Sequence, residues 1–475
     1  MSNLGYYLHR ENAMTIRADI AVVGAGMGGY VAALRASQLG AKVALVEKDR
    51  LGGVCLNWGC IPTKALLRTA EVLQLAKNAS EFGVLVDGVK LDWVAAQKRK
   101  ERVVRRLVGG VKTLLEKSEV QLIFGAARFV SSTALEVSTG EGNERVEAAN
   151  YVIATGSRPA SVLIPGLDGP HLLTSDDALA LETVPASILV VGAGPIGVEF
   201  AMLFAACGAK VTLVEVLPRV LPALDSEIGE QIERELKRSR VKVYTGSKII
   251  RVEELERTQS ITIQAGPEEV RVEVEKILLA VGRRPNTEDT GLDAAGVAVE
   301  RKGVVVDEHM RTSVPNVYAV GDVTGGMLLA HVAAHEGIVA AENALGGERR
   351  IDYAAVPSCV FTWPEVATVG LSEEQAEDRG YQVKVGRFPF RANGKAVVYG
   401  EYDGQVKIVA DAEFGQILGV HIVGPHASDL IQEATMALTL EATLDEFEAT
   451  IHPHPTLTEA VAEAALAARA RALHI

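Results

Sequence analysis

Positive charge, cysteine and aromatic residues are all scarce in this chain. Lysine and arginine number 48 against 61 aspartates and glutamates, a net charge of −13. That balance speaks against nucleic acid and anionic membranes as partners. Four cysteines in 475 residues exclude a secreted disulfide scaffold. The opening stretch, MSNLGYYLHRENAMTIRADI, has no apolar run of signal-peptide length. Met14 reads as a second start site, with residues 1–13 as an extension or tag. A hydrophobic content of 48% with 23% charge marks a globular chain, and its length predicts two to four domains. One window, ILVVGAGPIGVEFAMLFAACG at 188–208, has Glu199 as its sole charge. Hydropathy alone permits a membrane span there, but its glycine spacing favours another reading, and no span is expected.

That spacing occurs twice. ADIAVVGAGMGGYVAALRASQLGAKVALVEKD begins with an apolar run of buried-strand character, IAVV. Gly24, Gly26 and Gly29 follow as G-x-G-x-x-G, then a helical pattern to about Leu39 and a second strand ending in Glu47. Gly24 permits the tight turn, Gly26 lets a pyrophosphate approach the backbone, and Gly29 lets helix and sheet pack closely. The helix N-terminus faces the phosphates, and Glu47 can accept hydrogen bonds from a ribose. SILVVGAGPIGVEFAMLFAACGAKVTLVE repeats the pattern with Gly192, Gly194, Gly197 and Glu215. One such motif is weak, but two complete copies predict two dinucleotide sites and electron transfer between two cofactors. Glu215 favours NAD over NADP, since it repels a 2′-phosphate. Arg219, four residues on, reads as an exposed surface arginine.

Half of the scarce cysteine is spent in GGVCLNWGCIPTKALL, residues 52–67. In a regular helix, residues five apart have Cα atoms roughly 8–9 Å apart, and a disulfide needs less than about 7 Å. If Cys55 and Cys60 are bridged, the segment is therefore not a regular helix. Gly59 frees the backbone to bend, and Pro62 suits the first turn of a following helix. Cys60 is then expected just before that helix, where the dipole stabilises a thiolate, whereas Cys55 lacks that help. A redox pair of unequal sulfurs is favoured. The alternatives are a structural bridge or two buried thiols. Zinc would need more ligands. Cys207 and Cys359 look inert.

GGVCLNWGCIPTK resembles the redox-disulfide signature of the flavin-dependent pyridine-nucleotide disulfide oxidoreductases, and within them the dihydrolipoamide dehydrogenases most. The resemblance runs from about Arg17 to the C-terminus. YVIATGSRP at 151–159 resembles the family's crossing between FAD and NAD domains, LLAVGRRPN at 278–286 the return, and VYAVGDVTGGMLLAHVAAHEG at 317–337 the second FAD segment. It implies an α/β fold with two Rossmann-like dinucleotide-binding domains, for FAD and NAD, a central domain and an α+β C-terminal dimerisation domain. The expected divisions are 15–157 (FAD, with the redox disulfide), 158–286 (NAD), 287–353 (central, completing the FAD site) and 354–475 (interface). FAD contacts are implied for Glu47, Lys48, Gly53, Lys64, Gly125, Ala126, Thr155, Gly156, Ser157, Gly321 and Asp322. The stretch Met327, Leu328, Leu329, Ala330 and His331 is expected along the flavin ring. NAD contacts are implied for Pro195, Ile196, Gly282 and Arg283 beside the second glycine turn.

Lys64 lies one turn into the proposed helix, on the side of Cys60. Glu199, a charge in an apolar helix, needs a partner. The resemblance pairs the two beside the flavin. In TIHPHPTLTEAVAEAALAARARAL, proline after each histidine disfavours helix, and a helix start is expected near Thr456. His454 and Glu459 can then meet, leaving one imidazole nitrogen to take a thiol proton. By resemblance His454 is the base and Glu459 its orienter; His452 is the competitor. The family supplies the histidine from the other subunit of an obligate homodimer. Beyond residue 354, PEVATVGLS, QVKVGRFPF and GQVKIVADAEFGQILGVHIVG read as antiparallel strands, with alanine-rich helices from Ala427.

The implied activity is oxidation of dihydrolipoamide through a Cys55–Cys60 disulfide and FAD, with hydride passing to NAD⁺, in a cytoplasmic role in cell redox homeostasis. Cys55 is expected to form the mixed disulfide and Cys60 the thiolate facing the flavin. The lipoyl group is expected on a partner protein of a 2-oxoacid dehydrogenase or glycine-cleavage complex. The rivals are a sibling NAD(P)H-dependent disulfide reductase, a flavin diaphorase or transhydrogenase, and a nucleotide-binding scaffold. A mercuric reductase is disfavoured because RARALHI has no cysteine pair. Ala334 and His335 stand where relatives often carry acids, and Phe361 and Trp363 where tyrosine and histidine are common.

Overall fold

Two glycine-punctuated βαβ repeats start two separate sheets. The computed structural model describes residues 15–475 except 163 and 168, so the proposed extension at 1–13 lies outside the described residues. The chain divides into two units. One comprises the described residues up to 61 with 104–158 and 284–351; the other comprises 62–103, 159–283 and 352–475.

In the first unit the parallel strand order is Gln121–Phe124, Val43–Glu47, Thr15–Val23, Gly142–Ile153, Val317–Ala319. Val43–Glu47 is buried at every position, as an apolar run in a two-sided sheet must be. The long strand Gly142–Ile153 changes partner midway: Gly142–Glu147 pairs antiparallel with Ala134–Thr139, and Tyr151–Ile153 pairs parallel with Val317–Ala319. Helix Met27–Gln38 packs on helix Ala330–Ala344 through small residues. A Cβ on Gly337 would stand 2.4 Å from the Gly28 carbonyl oxygen, and one on Gly28 3.1 Å from that of Ala333. A side chain at Gly337 would force the helices apart, and one at Gly28 would have to displace its neighbours by a few tenths of an ångström.

In the second unit the parallel order is Lys242–Tyr244, Lys210–Val214, Ser187–Val191, Lys276–Leu279, Leu172–Leu173. The window that permitted a membrane span is this sheet's strand Ser187–Val191 followed by the 12-residue helix Pro195–Ala206. Such a helix is about 18 Å long, well short of a bilayer core. Among the described residues no helix is long and apolar enough to cross a membrane. Phe200 and Phe204, one turn apart, stack at 5.9 Å inside the same core as Leu66, Trp93 and Ile228.

The change of texture after residue 354 is a five-stranded antiparallel sheet, ordered Ser358–Val360, Glu365–Gly370, Ile417–Gly424, Gln405–Asp411, Val383–Pro389. Helix Glu459–Ala467 lies so close that a Cβ on Gly386 would stand 1.9 Å from the Ala464 carbonyl oxygen. The antiparallel strands and the helix from Ala427 agree with the sequence.

Candidate active site

The three glycines of each motif carry different physical demands. Gly24 has φ +99°, and a Cβ there would stand 2.3 Å from the Ala154 carbonyl oxygen. A Cβ on Gly29 would stand 1.8 Å from the oxygen of Gly24. Both positions are closed by the protein's own backbone. Gly26 differs: its φ is −69°, and the nearest atom to an added Cβ is 4.0 Å away. Gly26 is also the N-cap of helix Met27–Gln38, which has neither a side-chain cap nor an acid in its first turn. Space beside the backbone and uncapped N–H groups suit an approaching pyrophosphate.

The second motif repeats this. Gly192 (φ +100°) and Gly197 are closed by the Ala280 oxygen at 2.5 Å and the Gly192 oxygen at 1.9 Å, whereas a Cβ on Gly194 meets nothing within 4 Å. Helix Pro195–Ala206 has Pro195 at its start and no side-chain cap. The residues fit FAD and NAD on this ground, a cradle at Gly26 and Gly194 that the chain does not fill.

The two acids do more than the sequence indicated. Glu47 accepts the Ala25 N–H at 2.7 Å and the Asp49 N–H at 2.8 Å. Glu215 accepts those of Ala193 at 2.6 Å and Leu217 at 2.9 Å. Each carboxylate ties its glycine turn to the end of the second strand, with acceptor capacity left for a ribose. Arg219 is not a solvated arginine: it grips Glu374 with both terminal nitrogens at 3.0 Å. Val216 and Leu217, which follow Glu215, are exposed and apolar.

Lys48 is exposed, and Gly125, whose N–H donates to the Glu47 carbonyl at 2.9 Å, precedes Ala126 at a bend between strands. Thr155 and Asn286 exchange side-chain and backbone bonds at 2.7 and 2.9 Å, and Gly156 accepts from the Asn286 N–H at 2.9 Å. The Ser157 hydroxyl donates to Asp322. Gly321, in a left-handed conformation, donates its N–H to buried Glu336 at 2.6 Å. Sequence reasoning missed Glu336, whose only signal was a charge in a buried helical stripe. Met327 and Leu328 are exposed, and Leu329 caps helix Ala330–Ala344 without a side-chain bond; His331 lies in its first turn. In the second unit the Gly282 carbonyl accepts from the Ala160 N–H at 3.0 Å, and Ile196 and Arg283 are half-buried.

The cysteine segment is two helices with a break. Gly53–Asn57 carries Cys55, half-buried; Cys60–Lys77 carries Cys60, exposed. Cys60 is the first residue of its helix rather than the one before it, because Pro62 fits within the first turn and needs no N–H. Cys60 thus stands at the helix N-terminus, the end whose dipole favours a thiolate. Burial pushes Cys207 and Cys359 each up to about 11, so both are protonated and unreactive at neutral pH.

Lys64, four residues after Cys60, reaches both oxygens of Glu199 at 2.8 Å. Glu199 is 4% exposed and takes a third bond from the Phe361 N–H at 3.0 Å. The Phe361 ring centre lies 4.5 Å from the Lys64 ammonium, a cation–π contact. The Trp363 backbone N–H donates to the Met202 sulfur at 3.3 Å.

His454 Nδ1 lies 2.8 Å from Glu459, and the His454 side chain is 79% exposed. Glu459 starts helix Glu459–Ala467 and also accepts the Thr456 N–H at 2.8 Å. Burial works to raise the Glu459 carboxyl, but that N–H and the imidazole outweigh it and hold the group below its ordinary value. His452 is engaged at both nitrogens, with the Thr450 carbonyl at 3.1 Å and Glu433 at 2.7 Å. Its ring is raised by Glu433 against the opposing effect of burial. Of these two histidines, His454 is the one with a ring nitrogen left open to solvent.

A family model described as pyridine nucleotide-disulphide oxidoreductase matches residues 18–337, and one for the dimerisation domain of that family matches residues 356–465. A dihydrolipoyl dehydrogenase of Bacillus subtilis is 45% identical, covering 97% of this chain and 100% of the relative. One of Chlorobaculum parvum is also 45% identical, covering 97% and 99%. Among solved structures, LpdA of Mycobacterium tuberculosis aligns with a TM-score of 0.87 at 27% identity, covering 95% of this chain and 99% of that one. The HOCl-induced flavoprotein disulfide reductase RclA of Escherichia coli aligns with a TM-score of 0.86 at 29% identity, covering 94% and 99%.

Proposed function

The chain belongs to the pyridine nucleotide-disulphide oxidoreductase family, and on that premise we propose that it is a dihydrolipoyl dehydrogenase using FAD and NAD⁺. One observation carries the reading: 45% identity to curated dihydrolipoyl dehydrogenases across 97% of the chain. The broken helix at Cys55/Cys60 and the His454–Glu459 pair support it. FAD is assigned to the Gly24–Gly29 turn with Ser157 and Asp322, and NAD to the Gly192–Gly197 turn. The divisions 15–157 (FAD), 158–286 (NAD), 287–353 (central) and 354–475 (interface) are part of the same proposal.

In the proposed reaction His454 Nε2 takes the proton of a substrate thiol, while Glu459 holds Nδ1 and stabilises the cation that forms. The substrate thiolate attacks Cys55 sulfur, the Cys55–Cys60 bond breaks, and Cys60 leaves as a thiolate favoured by the helix N-terminus. The second substrate thiol then displaces Cys55, closing the lipoyl disulfide and leaving both cysteines reduced. Bound FAD and NAD⁺ supply the two-electron and hydride acceptance that restores the enzyme disulfide. Lys64, oriented by Glu199, keeps a positive charge one turn along the helix that Cys60 begins.

The dimerisation-domain match contains His454 and Glu459, which supports a homodimer in which this pair serves the partner copy's cysteines. The engagement of Arg219 by Glu374, and the apolar Val216 and Leu217, support NAD⁺ over NADP⁺. The substrate carrier is proposed to be a lipoyl-bearing protein of a 2-oxoacid dehydrogenase or glycine-cleavage complex, in the cytoplasm. The test is NADH formation from dihydrolipoamide and NAD⁺, with NADP⁺ in parallel and Cys60→Ser as control. Fast NAD⁺ reduction lost in the variant supports the proposal; a yellow protein that turns over only another thiol with NADPH rejects it.

A further inference from the structure

The break in the cysteine segment is held by groups outside the two cysteines. At Trp58 the backbone has φ −148° and ψ 30°, off the helical track. The Trp58 N–H closes on the Val54 carbonyl at 3.0 Å, and a Cβ on Gly59 would stand 2.9 Å from that oxygen, so the bend is packed against Val54. The Asn57 side-chain amide donates to the Leu51 and Gly53 carbonyls, both at 2.9 Å. The last contact comes from farther back: the Arg50 guanidinium lies 5.6 Å from the centre of the Trp58 ring. The Arg50 side chain is 66% exposed, with Asp49 its one acidic partner among the described residues, at 3.8 Å.

A disulfide between residues five apart requires this bend, because a continuous helix holds their Cα atoms too far apart. A dithiol does not require it. Once the sulfur–sulfur bond is broken, only non-covalent contacts keep the segment from relaxing, and each relaxed dithiol is one that must bend again to reoxidise. Arg50 lies before the segment and Trp58 at its break, so their stacking fixes one end of the segment to its middle.

We propose that Arg50 and Trp58 are a positioning pair for the cysteines: the guanidinium on the indole keeps the segment bent in the dithiol state, and so favours the disulfide. The inference rests on Cys55 and Cys60 being the redox pair, and it adds the groups that set their equilibrium. Removing the stack lets the dithiol relax while the disulfide cannot. The disulfide then becomes easier to reduce.

The experiment equilibrates the holoenzyme anaerobically with reduced and oxidised glutathione, which supply and take the two electrons and two protons. Cysteines are then trapped by alkylation and counted by mass spectrometry. Arg50→Ala and Trp58→Ala are expected to lower the equilibrium constant for disulfide formation about two- to five-fold, the worth of an exposed cation–π contact. At 29.6 mV per tenfold this is a rise of about 10–20 mV in reduction potential. Trp58→Phe, which keeps an aromatic face, is expected to stay near wild type. The double variant is expected to shift no further than either single one, since both remove one contact. Additive shifts, or a shift in Arg50→Ala with none in Trp58→Ala, overturn the pairing and leave charge alone as the cause. A wild-type protein that forms no Cys55–Cys60 disulfide at any glutathione ratio overturns the redox-pair reading instead.

Discussion

Six glycines with one consensus divide into two kinds, and alanine distinguishes them. At Gly29 and Gly197 an added Cβ would stand 1.8 and 1.9 Å from a backbone oxygen. Helix and turn must separate to admit it, and overpacking of this sort costs about 1–3 kcal/mol or more. At Gly24 and Gly192, φ values near +100° add a conformational penalty of roughly 1–2 kcal/mol. At Gly26 and Gly194 the backbone suits any residue, and the Cβ enters open space. Alanine there is expected to change stability by about 0.5 kcal/mol or less. The space it fills is where a pyrophosphate is proposed to meet the helix N–H groups. Losing one charge-assisted bond at about 1.5–3 kcal/mol weakens NAD⁺ binding in Gly194→Ala about 10- to 150-fold. Gly26→Ala is expected to purify with depleted FAD yet fold. The assay is thermal melting beside flavin content and NAD⁺ affinity. A Gly194→Ala protein with wild-type NAD⁺ affinity refutes the reasoning, and so does a Gly29→Ala protein with an unaltered melting point.

Other outcomes follow from the same geometry. His454→Gln is expected to lower kcat/KM for dihydrolipoamide about 10²- to 10⁴-fold, the range of a lost general base, with the KM for NAD⁺ unchanged in steady-state kinetics. His452→Gln instead acts on stability. Its folded-state pKa is raised by Glu433, so its contribution is full below the unfolded value of about 6.5 and lost as pH rises through the folded one; the fall in melting temperature is larger at pH 5.5 than at pH 9. Lys407 is 1% exposed and meets Asp225 at 2.9 Å, Glu227 at 2.6 Å and Glu373 at 2.7 Å; Lys407→Met leaves buried charge unpaired and costs about 3–5 kcal/mol in denaturant unfolding. Hydrogen bonding to Arg387, and then to Lys407, holds Glu227 down to about 2, so its stabilisation is present above the unfolded value of about 4.3 and drains as acid titration proceeds toward pH 2. Glu374→Ala releases Arg219 and is expected to narrow the NAD⁺ over NADP⁺ preference in parallel kinetics.

What was legible in the sequence is what has a short-range signature. Both glycine turns, the break between Cys55 and Cys60, and the meeting of His454 with Glu459 each follow from spacing within a few residues. The antiparallel C-terminal sheet followed from its turn residues. Long-range partners left no such trace. Nothing near Val317–Ala319 announces that it pairs with Tyr151–Ile153, and nothing near Phe361 announces that its N–H and ring meet Glu199 and Lys64. Glu47 and Glu215 read in the sequence as candidate ribose acceptors and not as the ties of their own turns, because the sequence marks a carboxylate without marking which N–H groups face it. Cys60 fell inside its helix rather than before it because a proline tolerated anywhere in the first turn does not fix the first residue.

The central claim is that electrons pass from dihydrolipoamide to NAD⁺ through Cys55 and Cys60. The most direct measurement follows their labelling. The holoenzyme is treated anaerobically with dihydrolipoamide, alkylated, and read by mass spectrometry, with and without a following addition of NAD⁺. The account predicts that the dithiol makes Cys55 and Cys60 alone newly alkylatable, and that NAD⁺ restores them to the unlabelled state as NADH forms. NADH formation while both cysteines stay unlabelled throughout contradicts it.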